Sequence, residues 1–349
     1  MGKALDINSG ISPLKTLKLS KPEVFNNLSW FFVVFVIWIL NFTLLPSVNA
    51  YYVTMIIYAG INIILAVSLN LVNGFTGQFS MGHAGFMAVG GYSSAFISLC
   101  FKKYYPQFYD SIMLSNLFFI ISLCSGGLLA SVAGYLVGLP SLRLRGDYLA
   151  IVTLGFGEII RVFILNIDAI GGARGLPGIP SLSSFAWVFT FALITVFFVK
   201  RLISSPMGRE LLSVREDEIA SEAMGVPTTQ AKVRAFVIGS FFAGIAGGLF
   251  AHFLCYLNPA NFDFNKSFDI IIMVVLGGMG SISGSILAAV ILTVLKEGLR
   301  SLQELTHLDF RMIIYSLILI LMMILRPNGL FGTNEIWNLY PFKKFFKRS

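Results

Sequence analysis

The chain alternates between long stretches of apolar residues and short polar intervals. The stretches cover roughly Leu28–Leu45, Tyr51–Leu71, Asn73–Phe96, Ile112–Leu139, Asp147–Asn166, Phe185–Lys200, Ala235–Tyr256, Phe268–Leu295 and Phe310–Leu325. Stretches of this length are typical of helices that cross or re-enter a membrane, whereas the strands of a membrane β-barrel give short segments of alternating polarity. The pattern predicts an all-α polytopic membrane protein with about 8 to 10 transmembrane or re-entrant helices.

One polar interval is much longer than the others. It runs from Ser205 to Arg234 and reads SPMGRELLSVREDEIASEAMGVPTTQAKVR. Unpaired charges are expensive in hydrocarbon, so this segment, which we name the charged loop, must lie in water. Its arginines and lysines favour the cytoplasmic side of the membrane.

A short amphipathic helix is predicted within the charged loop, from Asp217 to Gly225. Carboxylates cluster at its start, where a helix N-terminus favours them, and Gly225 followed by Pro227 provides an end signal. Spacings of three and four residues place one small apolar face on Ile219, Ala220, Ala223 and Met224. So short a helix is marginal alone in water. It is therefore either a turn in a solvated connection or a docking helix for a cytosolic partner.

The apolar stretch Phe268–Leu295 is interrupted by the sequence GGMGSISG, residues 277–284, which we name the glycine break. Glycine disfavours a continuous helix, so we expect a broken or re-entrant pair in which Gly277, Gly278, Gly280 and Gly284 permit bending. A pair that returns to its own side also leaves the basic residues Lys343 to Arg348 in the cytoplasm. Both termini are then predicted to be cytoplasmic.

The stretch from Asn73 to Phe96 is unusually rich in glycine, serine and threonine for a membrane segment. Small residues allow helix backbones to approach closely, and they also occur where a broken helix lines a cavity. Both interpretations fit this segment.

Glu158 and Arg161 are charged residues inside an apolar stretch, three positions apart and hence on one face of a helix. Charges at that depth normally pair with each other, or face protein or water. The two residues are either a structural ion pair or a polar element of a translocation path or its gate.

Composition supports a membrane protein and excludes other classes. Of the 349 residues 56% are hydrophobic and 12% are charged, against about 25% charged residues in soluble domains. The net charge of +8 arises from basic residues between the apolar stretches and at both ends, a topology bias that gives no reason to expect nucleic acid. Three cysteines form no CxxC pattern and three histidines are scattered, so we expect no disulfide framework, metal or cofactor.

Sequence signatures of catalysis are missing from the chain. No G-x-x-x-x-G-K-[ST] phosphate loop occurs, so we expect no ATP hydrolysis by this chain itself. No arrangement of Ser, His and Asp, of Cys and His, or of the HExxH type stands in a polar context. The pattern therefore favours a transporter subunit over an enzyme. The energy for transport would come from outside this chain.

Five blocks in order resemble the LivM-type permeases of branched-chain amino-acid ABC importers. The blocks are Ser68–Ala95, Asp147–Arg161, Gly171–Pro180, Ser205–Val226 and Val274–Leu292. With the segments between them, the resemblance covers about residues 51 to 325.

The resemblance implies a complex with several partners in a bacterial cytoplasmic (inner) membrane. These are a second, homologous permease forming a heterodimer, two cytosolic ATP-binding subunits and an extracytoplasmic substrate-binding protein. The run Glu222-Ala223-Met224-Gly225 resembles the EAA-type signature of importer permeases, with Met224 where many have alanine. The implied ATPase-coupling residues are Arg215, Glu216, Asp217, Glu218, Glu222, Ala223 and Gly225.

The expected organisation has three parts: a cytosolic leader over residues 1–27, a permease domain over 28–325 that contains the charged loop, and a basic cytosolic tail over 326–349. The expected function is translocation of leucine, isoleucine and valine by alternating access. Alternatives are a permease for urea or short-chain amides, a stand-alone secondary transporter or channel, and an intramembrane enzyme. The missing catalytic residues disfavour the enzyme.

Overall fold

The computed structural model describes residues 27–43, 48–109, 111–142, 144 and 146–306, with short pieces at 316–317, 320–321, 324–325, 329–332 and 335. Its helices are α1 (Asn27–Thr43), α2 (Ala50–Asn73), α3 (His83–Tyr104), α4 (Ile112–Ser141), α5 (Asp147–Leu165), α6 (Phe185–Ser204), α7 (Pro206–Glu216), α8 (Glu218–Ala223), α9 (Thr228–Leu254), α10 (Phe264–Gly277) and α11 (Ile282–Thr306). Two short strands, β1 (Leu176–Pro177) and β2 (Tyr256–Leu257), pair in antiparallel fashion.

Seven of these helices are long and apolar enough to cross a membrane: α2, α3, α4, α5, α6, α9 and α11. The prediction of an all-α polytopic membrane protein is therefore confirmed. With 14 residues, α10 is about 21 Å long and falls short of a hydrocarbon core of about 30 Å. Most of the leader, of the basic tail and of the stretch Phe310–Leu325 lies outside the described residues.

At the centre of the bundle, α9 packs against α2, α3 and α4. Its glycines bring backbones into direct contact. A Cβ atom built on Gly90 of α3 would lie 2.1 Å from the Cα of Gly244, and one built on Gly126 of α4 would lie 2.6 Å from the carbonyl oxygen of Gly90. Of the two interpretations of the glycine-rich stretch, close helix packing accounts for Gly90.

The glycine break separates two helices, as predicted. α10 ends at Gly277 and α11 begins at Ile282, and between them Gly278 and Gly280 have φ values of +109° and +93°, which L side chains rarely adopt. The two helices form an antiparallel hairpin. Near its tip a Cβ on Gly284 would lie 2.1 Å from the carbonyl oxygen of Gly277.

Further from the tip of this hairpin, the two helices are joined by an ion pair. Lys296 Nζ of α11 lies 2.5 Å from Asp269 Oδ2 of α10. The pair places the outer parts of α10 and α11 side by side, so the chain returns toward the end of the bundle from which α10 started. This geometry confirms a broken pair of helices, of which α11 is long enough to cross the membrane.

A test of the packing compares Gly90→Ala with Gly155→Ala. The first substitution forces a methyl group into the backbone of α9, and overpacking should lower the free energy of unfolding by about 1–3 kcal/mol. The second places a methyl group on α5 where, apart from the backbone of that helix, no atom of the described residues lies within 4 Å. Higher helix propensity should then leave stability equal or raise it by up to about 1 kcal/mol. Unfolding of the purified chain by SDS in mixed micelles measures both. Equal stability of the two variants would refute the backbone contact.

Candidate functional site

The charged loop folds into two helices. α7, which the sequence pattern had not suggested, begins after Ser205, whose Oγ accepts a hydrogen bond from the Gly208 backbone N–H at 3.3 Å. Leu211 and Val214 lie on its buried side, at 1% and 4% exposure. The signal that could have found α7 was the Ser-Pro start followed by apolar residues at helical spacing.

α8 is the short amphipathic helix that the sequence predicted, and its predicted end signals are confirmed. Asp217 Oδ1 accepts a hydrogen bond from the Ala220 backbone N–H at 3.0 Å, as an N-cap does. Gly225 has a φ of +86°, and its N–H donates to the Glu222 carbonyl at 2.9 Å. A left-handed residue at this place closes a helix C-terminus and favours glycine.

The predicted apolar face of α8 points away from the rest of the chain. Ile219 is 69% exposed and Met224 is 84% exposed. The neighbours Ala220, Glu222 and Ala223 are also exposed. We name this surface, Ile219, Ala220, Glu222, Ala223 and Met224, the α8 face. Large apolar side chains displayed on a short helix at the end of a bundle are typical of a protein interaction site.

The opposite side of α8 is fixed to the bundle. Lys232 of α9 is 2% exposed, and its Nζ lies 2.6 Å from Glu218 Oε2. Ser221, which is also buried, donates its hydroxyl to the Asp217 carbonyl at 2.7 Å. Glu218 therefore turns toward α9, and the ion pair with Lys232 attaches α8 to that long helix.

Arg215, at the end of α7, connects the charged loop to the end of α2. One guanidinium nitrogen lies 2.6 Å from Glu216 Oε1, and another donates to the Gly74 carbonyl oxygen at 3.3 Å. Beneath these residues lies a cavity of about 300 Å³ with a mixed lining of charged, polar and apolar groups. Its polar lining includes Thr76, Gln78, Arg215, Asp217, Glu218 and Lys232.

Glu158 and Arg161 form the predicted ion pair, with 2.7 Å between Arg161 Nε and Glu158 Oε2. The pair stands on α5, the least buried of the seven long helices, and each side chain is about a third exposed. Within the described part of the chain its polar contact is made inside α5, so the structure does not join it to the charged loop. The glycine break, in contrast, approaches the charged loop through the end of α2.

The fold and this site together define a multi-pass membrane protein that presents a short helix with an exposed apolar surface, joined to α9 by an ion pair, beside its membrane helices. Residues 51–325 match the family described as "Branched-chain amino acid transport system / permease component". The chain belongs to this family.

The similar proteins are permeases of branched-chain amino-acid transport systems. The chain is 38% identical over 305 residues to the permease protein LivM of the high-affinity system of Salmonella typhimurium and to LivM of Escherichia coli, with 77% of this chain and 67% of each relative covered. It is 24% identical over 293 residues to the permease protein LivH of Salmonella typhimurium, with 78% of this chain and 92% of that protein covered. No solved structure gives a significant match to the chain.

The anchoring of α8 can be tested with Lys232→Met. Removing the buried cation leaves Glu218 without this partner and should cost about 2 kcal/mol, between the values for exposed and fully buried pairs. Unfolding by SDS in mixed micelles measures the loss. Adding Glu218→Gln to this variant should recover more than half of it, because no charge is then left unpaired. Effects of the two substitutions that simply add would show that the pair does not couple α8 to α9.

Proposed function

We propose that this chain is a membrane-spanning permease subunit of an ATP-driven importer that carries branched-chain amino acids across the cytoplasmic membrane. The observation that carries the proposal is the α8 face, an exposed apolar surface on a short helix that is itself fixed to α9. Family membership and the printed names of the relatives support the transported class, leucine, isoleucine and valine.

The energy source and the partners follow from the same reasoning. Because the sequence holds no phosphate loop, two separate cytosolic ATP-binding subunits hydrolyse ATP, and one of them receives the α8 face in a groove. The second permease is a homologue of this chain, a proposal supported by the chain's similarity to relatives named LivM and LivH. A binding protein outside the membrane delivers the substrate, and lipid surrounds the bundle.

The mechanism we propose is alternating access driven through the charged loop, which then lies with both termini on the cytoplasmic side. Closure of the ATP-binding subunits moves the α8 face, and the Glu218–Lys232 pair passes this movement to α9. Arg215 passes it to α2 through the Gly74 carbonyl. ATP therefore shifts the balance between two arrangements of the helices, as any ligand with different affinities for two states does.

The remaining candidate residues are assigned to the path and its gate. In the glycine break, Gly278 and Gly280 have positive φ values that favour glycine, and we assign the bending to these two residues. Gly277 and Gly284 form the contact across which α10 and α11 separate or close. Glu158 and Arg161 lie on the most exposed of the long helices, where they would meet the second permease.

Reconstitution tests the function as a whole. The chain is coexpressed with a homologous permease, two ATP-binding subunits and the binding protein from its own genome, and the complex is placed in proteoliposomes. Leucine uptake should require both ATP and the binding protein. Uptake of urea or acetamide in its place would assign the substrate to the amide branch, and uptake by the chain alone without ATP would make it a stand-alone transporter.

The α8 face is tested with Glu222→Lys. Reversing this exposed charge should abolish ATP-dependent uptake and copurification of the ATP-binding subunits, while the protein still accumulates in the membrane, because the substitution lies on the docking surface only. The matched control, Gln230→Lys, adds positive charge to an exposed residue of the same loop outside the α8 face and should behave as wild type. Normal uptake by Glu222→Lys would exclude the α8 face as the coupling surface.

A further inference from the structure

Between α10 and α11 the helical hydrogen-bond pattern is interrupted, so the Gly280 N–H needs another partner, whereas the Ser281 carbonyl already accepts hydrogen bonds from Ser285. The side chain of Asn70 contacts both groups. Its Oδ1 accepts a hydrogen bond from the Gly280 N–H at 2.9 Å, and its Nδ2 donates to the Ser281 carbonyl oxygen at 2.9 Å. Asn70 is completely buried. Its primary amide pairs with the glycine break as a peptide group pairs with its neighbour in a sheet.

The same turn of α2 also meets the charged loop. The Gly74 N–H donates to the Asn70 carbonyl at 2.8 Å, while the Gly74 carbonyl accepts from Arg215 at 3.3 Å. A Cβ atom on Gly74 would lie 2.3 Å from the Gly280 nitrogen, so the two backbones touch. The end of α2 is thus held between the charged loop on one side and the glycine break on the other.

Beyond Asn70, the start of α11 is tied to Glu335. Its carboxylate accepts hydrogen bonds from the Ile282 N–H at 2.8 Å and the Ser283 N–H at 3.0 Å. A carboxylate in this position stabilises a helix N-terminus and holds the first turn together. The first turn of α11 is therefore expected to move together with Ser281. Bending of the chain is then expected at Gly278 and Gly280.

From this geometry we infer that Asn70 is a positioning residue for transport, through which movement of the charged loop reaches the glycine break. The inference rests on the proposed function. If the end of α2 moves with Arg215, the glycine break must follow or lose two buried hydrogen bonds. The Ser281 carbonyl would keep its bonds from Ser285, but the Gly280 N–H and the buried Asn70 amide would lose these partners, which is costly in the interior. Asn70 touches no substrate in this role; it transmits a displacement.

Asn73 provides a matched control, one turn further along the same helix. It is also a buried asparagine whose amide makes two backbone hydrogen bonds, but both go to Ser80 in the following loop, at 3.1 and 3.3 Å. Asn70→Leu and Asn73→Leu remove equivalent bonds at nearly constant side-chain shape. Asn70→Asp retains the acceptor for Gly280 and loses the donor for Ser281.

The experiment compares ATP hydrolysed per leucine transported by the reconstituted complex. We expect Asn70→Leu to assemble with its partners and to hydrolyse ATP, with this ratio raised about tenfold, within the usual range for coupling between two sites. Asn70→Asp should give an intermediate ratio and serves as the test variant if the leucine variant does not accumulate. Asn73→Leu should keep the wild-type ratio.

Two results would overturn the inference: a wild-type ratio in both Asn70 variants, or an equal rise in Asn73→Leu. The second would show that any buried amide in this region is equally important for structure. Failure of the proposed function looks different, because the wild-type complex would then show no ATP-dependent uptake of leucine, isoleucine or valine in the first place.

Discussion

A peptide group that leaves a helix inside a membrane protein must find another hydrogen-bond partner, because lipid offers none. The glycine break obeys this constraint with side chains from two distant parts of the chain: Asn70 at one edge and Glu335 at the other. These side-chain hydrogen bonds hold the break in the observed conformation in place of the backbone hydrogen bonds of a continuous helix. The neighbourhood of Gly280 can change shape only when its partners move, which makes the break responsive to the end of α2.

The charged loop combines one side that is attached to the bundle with another side that is exposed to solvent. The two sides differ in their contacts. Toward the bundle, Glu218 and Lys232 form a largely buried ion pair and α7 covers its apolar residues. Away from the bundle, Ile219 and Met224 remain in solvent. In the proposed mechanism this attachment to α9 lets a push from a partner reach the bundle, whereas a helix that was free to swing would absorb it.

Local signals in the sequence were sufficient to predict the membrane spans and the ends of several helices. The spans, the caps at Asp217 and Gly225, and the interruption after Gly277 each rest on residue types with strong short-range preferences. What could not be predicted depends on contacts between residues far apart in sequence. The residues next to Lys232 in sequence do not indicate that its charge is buried against Glu218. Likewise, the sequence around Asn70 does not indicate its partner, because Gly280 lies 210 positions further along the chain.

The glycines that join α3, α4 and α9 have a further consequence. Where Gly90 meets Gly244 and Gly126 meets Gly90, backbone rests on backbone with no side chain able to change rotamer between them. Sliding at such an interface must overcome hard atomic contacts, so a movement that reaches α9 has to carry α3 and α4 with it as one body. In the proposed mechanism these three helices therefore move as a unit, and changes of shape fall to the elements attached to their rim.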